Sequence, residues 1–323
     1  MIFRNMVRHG WLPALLVSVC LVSPALAQQY GTTPPPGADR YGGYRAPGQP
    51  QAQPPQRPAY GPAQSPYHVA ERSKPAANQV QQVLGPQQPN EHPLMPAIRW
   101  ARNGIDQIQQ IQDYSAVMVK RERISGKLND EQYMFIKVRH RPLSVYMYFL
   151  KPDSLQGQEA IYVEGQNDGK LLGHPAGLKN KLIGTLPLTP TGPIAMQGNR
   201  YPITEIGLLN LVQRLAEVAE KDAQFGECEV KFMPGAKLND RACTLIQVLH
   251  PVPRRNFLFH MARIFVDDEL NLPIRYEAYD WPKEAGGPPV LIEQYTYVNL
   301  RLNNGFTDAD FDVRNPNYQF TPH

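Results

Sequence analysis

The stretch "IKVRHRPLSVYMYFLKPDSLQGQEAIYVEG", residues 136–165, decides the fold. It reads as three short strands, with a corner at Arg141-Pro142 after the first. Ile136 and Val138 fall on one face, and Val145, Met147 and Phe149 repeat the pattern on the next strand, with Tyr146 and Tyr148 opposite. A period of two is that of a strand, whose side chains alternate between faces. Upstream, "EQYMFIKVRHRP" adds Met134 to the first face, and "YSAVMVKRERISG" sets Val117 and Val119 against Lys120 and Glu122. Downstream, "EAIYVEGQNDGKLLGH" is strand, turn at residues 167–169, and strand. Strands at hairpin distance pair antiparallel. Both faces carry large apolar groups, so the sheet requires cover.

Two helices are placed to supply it. Ile98, Ala101, Ile105 and Ile108 recur at helical spacing from Pro96 to about Gln112, with Pro96 in the first turn, where its missing N–H costs nothing. A second stripe, Ile206, Leu209, Val212, Leu215, Ala216 and Ala219, runs to Asp222, with Thr204 as its expected N-cap and Ile203 and Leu208 as a hydrophobic staple. Between meander and second helix, "GTLPLTPTGPIAMQGNRYP" reads as a long loop. After the helix come three hairpin-like stretches, with turns near residues 234–239, 267–271 and 282–289. The fold class expected is α+β, a curved antiparallel sheet wrapped around two or more helices.

The ends of the chain follow other rules. Arg4 and Arg8, the apolar run from Trp11 to Val22 and Ala25-Leu26-Ala27 form a signal peptide over residues 1–27, cleaved after Ala27. Cys20 lies inside the apolar run and follows Val19, where a lipoprotein signal needs a small residue. Residues 28–90 are rich in Pro, Gln, Gly and Tyr and nearly free of aliphatics, which predicts a disordered arm, a spacer or a protein-binding segment. Residues 91–323 then form one domain. No other stretch approaches the ~20 apolar residues of a membrane helix, so an exported, periplasmic protein is expected.

The formal charge of +4 falls to +2 when Arg4 and Arg8 leave, too little for nucleic acid. "VKRERISGK" and "RHR" read as solvated outer faces. Cys228 and Cys243 flank a turn region with Pro234-Gly235 and Asn239-Asp240; a loop near residues 234–239 sets them opposite each other, and export permits a disulfide.

Enzyme signatures are thin. The histidines show no metal-site pairing, and neither a nucleophile elbow nor a phosphate loop is present. Neither catalytic residues nor a cofactor or metal is expected. Asp267, Asp268 and Glu269 resemble a Ca²⁺ cluster but sit in a turn, where solvated acids are usual. Asp308, Asp310 and Asp312 interleave with Phe306 and Phe311, as in a packed terminal strand. A hydrolase would have to assemble scattered residues such as His174 and Asp280.

The order of elements resembles the LolA-like family. "IKVRHRP" before an aromatic strand, "YVEGQNDGKLL", "FVDDELNLPIRYEAYD" and "YVNLRLNNGFTDADF" look like its successive segments along most of residues 95–313, and the sequence looks closer still to a family of exported bacterial proteins known as domain of unknown function 1571. The resemblance implies a half-open barrel around helices with an apolar trough for acyl chains or lipoproteins. Met134, Ile136, Val138, Val145, Met147 and Phe149, facing Leu209, Val212 and Leu215, would line it; packing these residues as plain core is the alternative. Arg141, matching a family arginine, would sit at the rim and hold the loop of residues 187–202. A regulatory or envelope-structural module without lipid cargo, reaching a partner protein through the Pro-rich arm, is the second reading.

Overall fold

The computed structural model describes residue 84 and residues 88–177 and 183–320. The expected signal peptide lies outside the described residues, as does the expected arm apart from Leu84 and residues 88–90.

The meander is continuous. After helix α1 (Met95–Gln109) come β1 (Asp113–Ile124), β2 (Lys127–Leu128), β3 (Gln132–Arg139), β4 (Ser144–Lys151), β5 (Glu159–Val163), β6 (Leu171–His174) and β7 (Leu186–Leu188). Helix α2 (Leu208–Asp222) follows, then β8 (Glu229–Leu238), β9 (Arg241–Leu249), β10 (Met261–Asp267), β11 (Pro273–Asp280) and β12 (Val290–Leu302). All pair antiparallel in one open, curved sheet of order β7-β6-β5-β4-β3-β1-β12-β11-β10-β9-β8, with β2 folded onto β1. The α+β half-barrel around helices is therefore what the chain forms. Its two halves join where β1 pairs with the last strand, from Tyr114 beside Leu302 to Glu122 beside Glu293.

Both helices pack on the inner face. Ile98, Ala101 and Ile108 of α1 and Leu208, Val212 and Ala216 of α2 join Met134, Ile136, Val138 and Val145 in one core. Each large apolar side chain so buried contributes ~1.5–3 kcal/mol. α2 starts four residues after the expected cap at Thr204. Residues 203–205 form a short 3₁₀ turn, and Gly207 is the N-cap, at φ 127°. That conformation favours glycine, and a Cβ there would meet the Tyr114 hydroxyl at 3.1 Å. The same hydroxyl accepts the N–H of Leu208 at 3.0 Å, so a buried tyrosine on β1 sets where the helix begins.

The outer face is covered too. Tyr146, Ile161, Val163 and Leu172 meet the C-terminal segment through Phe306, Phe311, Tyr318 and Phe320. Asp113 anchors that segment by accepting the N–H groups of Asn304, Gly305 and Phe306 at 2.6, 3.1 and 3.0 Å. The aspartates expected on a terminal strand lie instead on and beside a 3₁₀ turn, Asp308–Phe311. Asp308 pairs with Arg139 and Asp310 with Lys137, each at 2.7 Å, and Asp312 with Arg314 at 2.6 Å.

The expected disulfide is not formed: Cys228 and Cys243 are both free. The turn lies at the far end of the expected 234–239 region. Asn239 and Asp240, at φ 47° and 62°, make a two-residue hairpin between Leu238 and Arg241, while Pro234-Gly235 is a bulge inside β8. Cys243 therefore faces Ala236, and Cys228 lies one residue before the strand pairing of Glu229 with Leu249. That is six residues along β9 from Cys243, or roughly 20 Å. Burial pushes both thiols up to about 11, so neither is poised as a thiolate.

Candidate functional site

The inner face changes character along the strands. On β1 the inward side chains run Tyr114, Ala116, Met118, Lys120 and Glu122; beside them on β12 stand Tyr297, Tyr295 and Glu293. α2 begins against Tyr114 and Val138, so the helices fill the apolar end of the trough. Toward Lys120 a solvent-connected cavity of about 1060 Å³ lies between the sheet, α2 and residues 189–207. Met147, Phe149, Leu171, Leu186, Leu188 and Leu215 line its apolar part. Room is left there because Ala160 and Gly173 face inward in one row with Met147 across β4, β5 and β6. A volume at the upper end of the usual range for ligand pockets, ~300–1,000 Å³, suits a large apolar ligand.

The other end is charged. Glu122 and Glu293 stand directly opposite each other, an arrangement that by itself is repulsive. Donors surround them. Tyr295 Oη donates to Glu122 at 2.5 Å, the backbone N–H of Arg200 to Glu122 at 3.2 Å, and Lys120 Nζ lies 3.3 Å from the same carboxylate. Arg200 Nε donates to Glu293 at 2.7 Å and Tyr201 Oη at 3.2 Å. Lys120 also donates to Asn199 Oδ1, and Arg200 to the carbonyl of Arg123. Burial raises Glu293 and lowers Lys120, each opposed by its charged partner; burial and then the carboxylates of Glu293 and Glu122 drive Tyr295 far above a normal phenol. The cluster ties residues 199–201 of the long loop to β1 and β12.

Of the nine side chains expected to line the trough, Met147, Phe149 and Leu215 do. Met134, Ile136, Val138, Val145 and Val212 have no exposed surface and pack as core, and Leu209 packs half-buried against it. Arg141 is exposed in the β3–β4 turn. The ties of the 187–202 loop to the sheet run to Lys120, Glu122 and Glu293 instead. Lys120 pairs with Gln132, seven residues along β3 from Arg139, roughly 23 Å toward the other end of the strand.

Lys120 and Glu122, read from sequence as solvated, are 8% and 3% exposed. Strand parity carried the signal, since both share the face of Tyr114, Ala116 and Met118; their charge masked it. Arg200 and Tyr201 sit in an irregular segment and had no periodic signal. His174 lies on the outer face of β6 against Phe320, and Asp280 is exposed on β11, six strands away, so the structure does not bring them together. Asp267 accepts from Arg241 at 2.5 and 2.8 Å and from two backbone N–H groups, and Asp268 from Thr244, so the acidic turn is a structural anchor.

A second buried polar pair closes the far end of α2. His250 Nδ1 donates to the carbonyl of Phe259 at 3.1 Å, which turns Nε2 toward Asp222 Oδ2, 3.3 Å away. Burial lowers His250 below the usual imidazole range and pushes Asp222 up to about 6. A protonated Asp222 thus donates to Nε2, and an ionised one faces its lone pair. Because the folded value lies above the ordinary 3.8, this group's stabilising contribution is complete below pH 3.8 and is lost as pH rises through 6. Asp222→Asn is therefore expected to be more stable than the parent at pH 8, by on the order of 1–3 kcal/mol, with the margin vanishing below pH ~4. Urea unfolding of both proteins from pH 4 to 8 reads this directly; a margin that stays constant across the range rules it out.

Residues 111–320 match a family described as "Protein of unknown function (DUF1571)". None of the curated proteins matches the chain. Among solved structures it is similar to the lipoprotein LppX of Mycobacterium tuberculosis, at 13% identity over 68% of this chain and 100% of that one, with a TM-score of 0.38. An uncharacterized conserved protein from Thermus thermophilus is 12% identical over 65% and 91%, at 0.36. A LolA superfamily protein from Nitrosomonas europaea is 10% identical over 66% and 97%, at 0.28. The strand order, and not these likenesses, defines the fold.

Proposed function

The chain belongs to the DUF1571 family of proteins of unknown function, and from the pocket its strands build we propose that it is a non-enzymatic binder of acyl chains or of the lipid part of lipoproteins. The observation that carries this is the cavity of about 1060 Å³ whose apolar part is lined by Met147, Phe149, Leu171, Leu186, Leu188 and Leu215. Acyl chains are held by buried area, at ~25 cal/mol per Å², and not by directed contacts, so such a lining suffices for affinity. Export by a cleaved signal peptide belongs to the same proposal; among the described residues no helix is long and apolar enough to cross a membrane.

The test fills the space without disturbing the core. Ala160 faces the cavity between Met147 and Gly173. Ala160→Phe is expected to abolish uptake of a neutral fluorescent naphthylamine probe that the parent protein binds, while shifting thermal stability little. If the parent takes up no probe, or the variant takes it up as well as the parent, the acyl-binding reading fails.

A second reading, an interaction module, is favoured by one observation. Ile183, Ile194 and Leu258 line the cavity and are yet 50%, 66% and 61% exposed, an apolar rim of the kind that partner proteins cover. Native mass spectrometry of the exported domain separates the two, through co-purified lipid or a bound protein.

A further inference from the structure

The charged end of the cavity has more donors than its own carboxylates absorb. Glu122 takes hydrogen bonds from Tyr295 and the Arg200 backbone and pairs with Lys120; Glu293 takes them from Arg200 and Tyr201. Lys120 has three donors, two of them directed at Asn199 and Glu122. Arg200 has five, two of them directed at Glu293 and the Arg123 carbonyl. Arg214, one of the cavity-lining residues of α2, is the outlier. Its guanidinium lies 4.9 Å from the centre of the Tyr201 ring, and among the described residues it makes no hydrogen bond or ion pair. The exposed Glu205 and Glu217 also line the cavity. Arg214 and Arg200 are exposed as well, so solvent screens these cations and the two acids alike; what sets the cations apart is their unused donors, those of Arg214 lying over the Tyr201 ring.

Resting on the acyl-binding reading, we infer that the ligand is an anionic amphiphile, whose carboxylate or phosphate head is held by Arg214 with the free donors of Arg200, and whose chain extends toward Met147, Phe149 and Leu188. Apolar and charged lining meet in one cavity because Met118, Lys120 and Glu122 share a face of β1, as do Tyr297, Tyr295 and Glu293 on β12. A planar guanidinium that can approach either acid bidentately is suited to both head types.

The experiment displaces the neutral probe with four twelve-carbon competitors: laurate, dodecyl phosphate, methyl laurate and dodecyltrimethylammonium. At low salt, laurate or dodecyl phosphate is expected to compete at least tenfold better than methyl laurate, and the better of the two identifies the head. Arg214→Leu is expected to reduce that preference at least fivefold, and Arg214→Lys to restore part of it. Equal competition by all four overturns the head-group assignment while leaving an acyl pocket in place. Tighter binding of the cationic amphiphile overturns it in favour of the acidic side chains. Probe bound by the parent but displaced by none of the four also overturns it, and a parent that binds no probe removes the acyl-binding reading itself.

Discussion

Arg200→Ala is expected to lower stability by about 3 kcal/mol at neutral pH, because it strands Glu293 as a buried carboxylate without its cation. Glu293 is 5% exposed and directly opposes Glu122, so deletion of the guanidinium removes attraction and leaves repulsion between two buried carboxylates. The loop loses its tie to the Arg123 carbonyl at the same time. Glu293→Gln in the Arg200→Ala background is expected to recover much of the loss, since a neutral amide still accepts from Tyr201 and no longer repels Glu122. Protease susceptibility of residues 189–202 should rise in the single variant and fall back in the double. Denaturant unfolding of the four proteins in the cycle measures the coupling. A loss below about 0.5 kcal/mol, the scale of an exposed pair, would place the cluster in solvent and sink the assignment.

Ile136→Ala is expected to cost ~2–5 kcal/mol, with no specific loss of probe affinity in the protein that remains folded. Ile136 has no exposed surface, is flanked in the sheet by Ala116 and Met147, and packs in the core beneath the helices. Ala160→Phe, by contrast, is expected to remove binding with little change in stability. The pair of variants separates core from cavity along a single row of strand positions. A weaker-binding but fully stable Ile136→Ala protein would put the cavity wall at Ile136 and move the site toward the helices.

Much of the architecture was legible in local pattern. Period-two alternation located β1, β3, β4, β5 and β6, and helical spacing located α1 to within three residues at its end. The start of α2 was not, because its N-cap is fixed by the hydroxyl of Tyr114, 94 residues earlier. The hairpin of β8 and β9 shows a similar limit. Two turn signals, Pro234-Gly235 and Asn239-Asp240, stood five residues apart, and only strand register made the first a bulge and the second the turn. That register, in turn, excluded the disulfide.

The site divides along the same line. Sequence alone determined that both faces of the meander carry large apolar groups and need cover, and that two amphipathic helices are there to supply it, since alternation and helical spacing are properties of the chain itself. It also placed Met147, Phe149 and Leu215 on the faces that meet. Which of those faces would be filled and which left open was decided by the tertiary structure, through the point at which α2 lands on β1 and the small side chains of Ala160 and Gly173 beyond it. The inward charges were decided there as well. A lysine and a glutamate on a strand belong in water unless partners arrive from elsewhere. Here those partners, Asn199, Arg200 and Tyr295, come from a loop and a strand 78 to 173 residues away. Burying a charge is tolerated only when its counter-charge and hydrogen bonds are already in position, and that condition is met by the folded chain and by no segment of it.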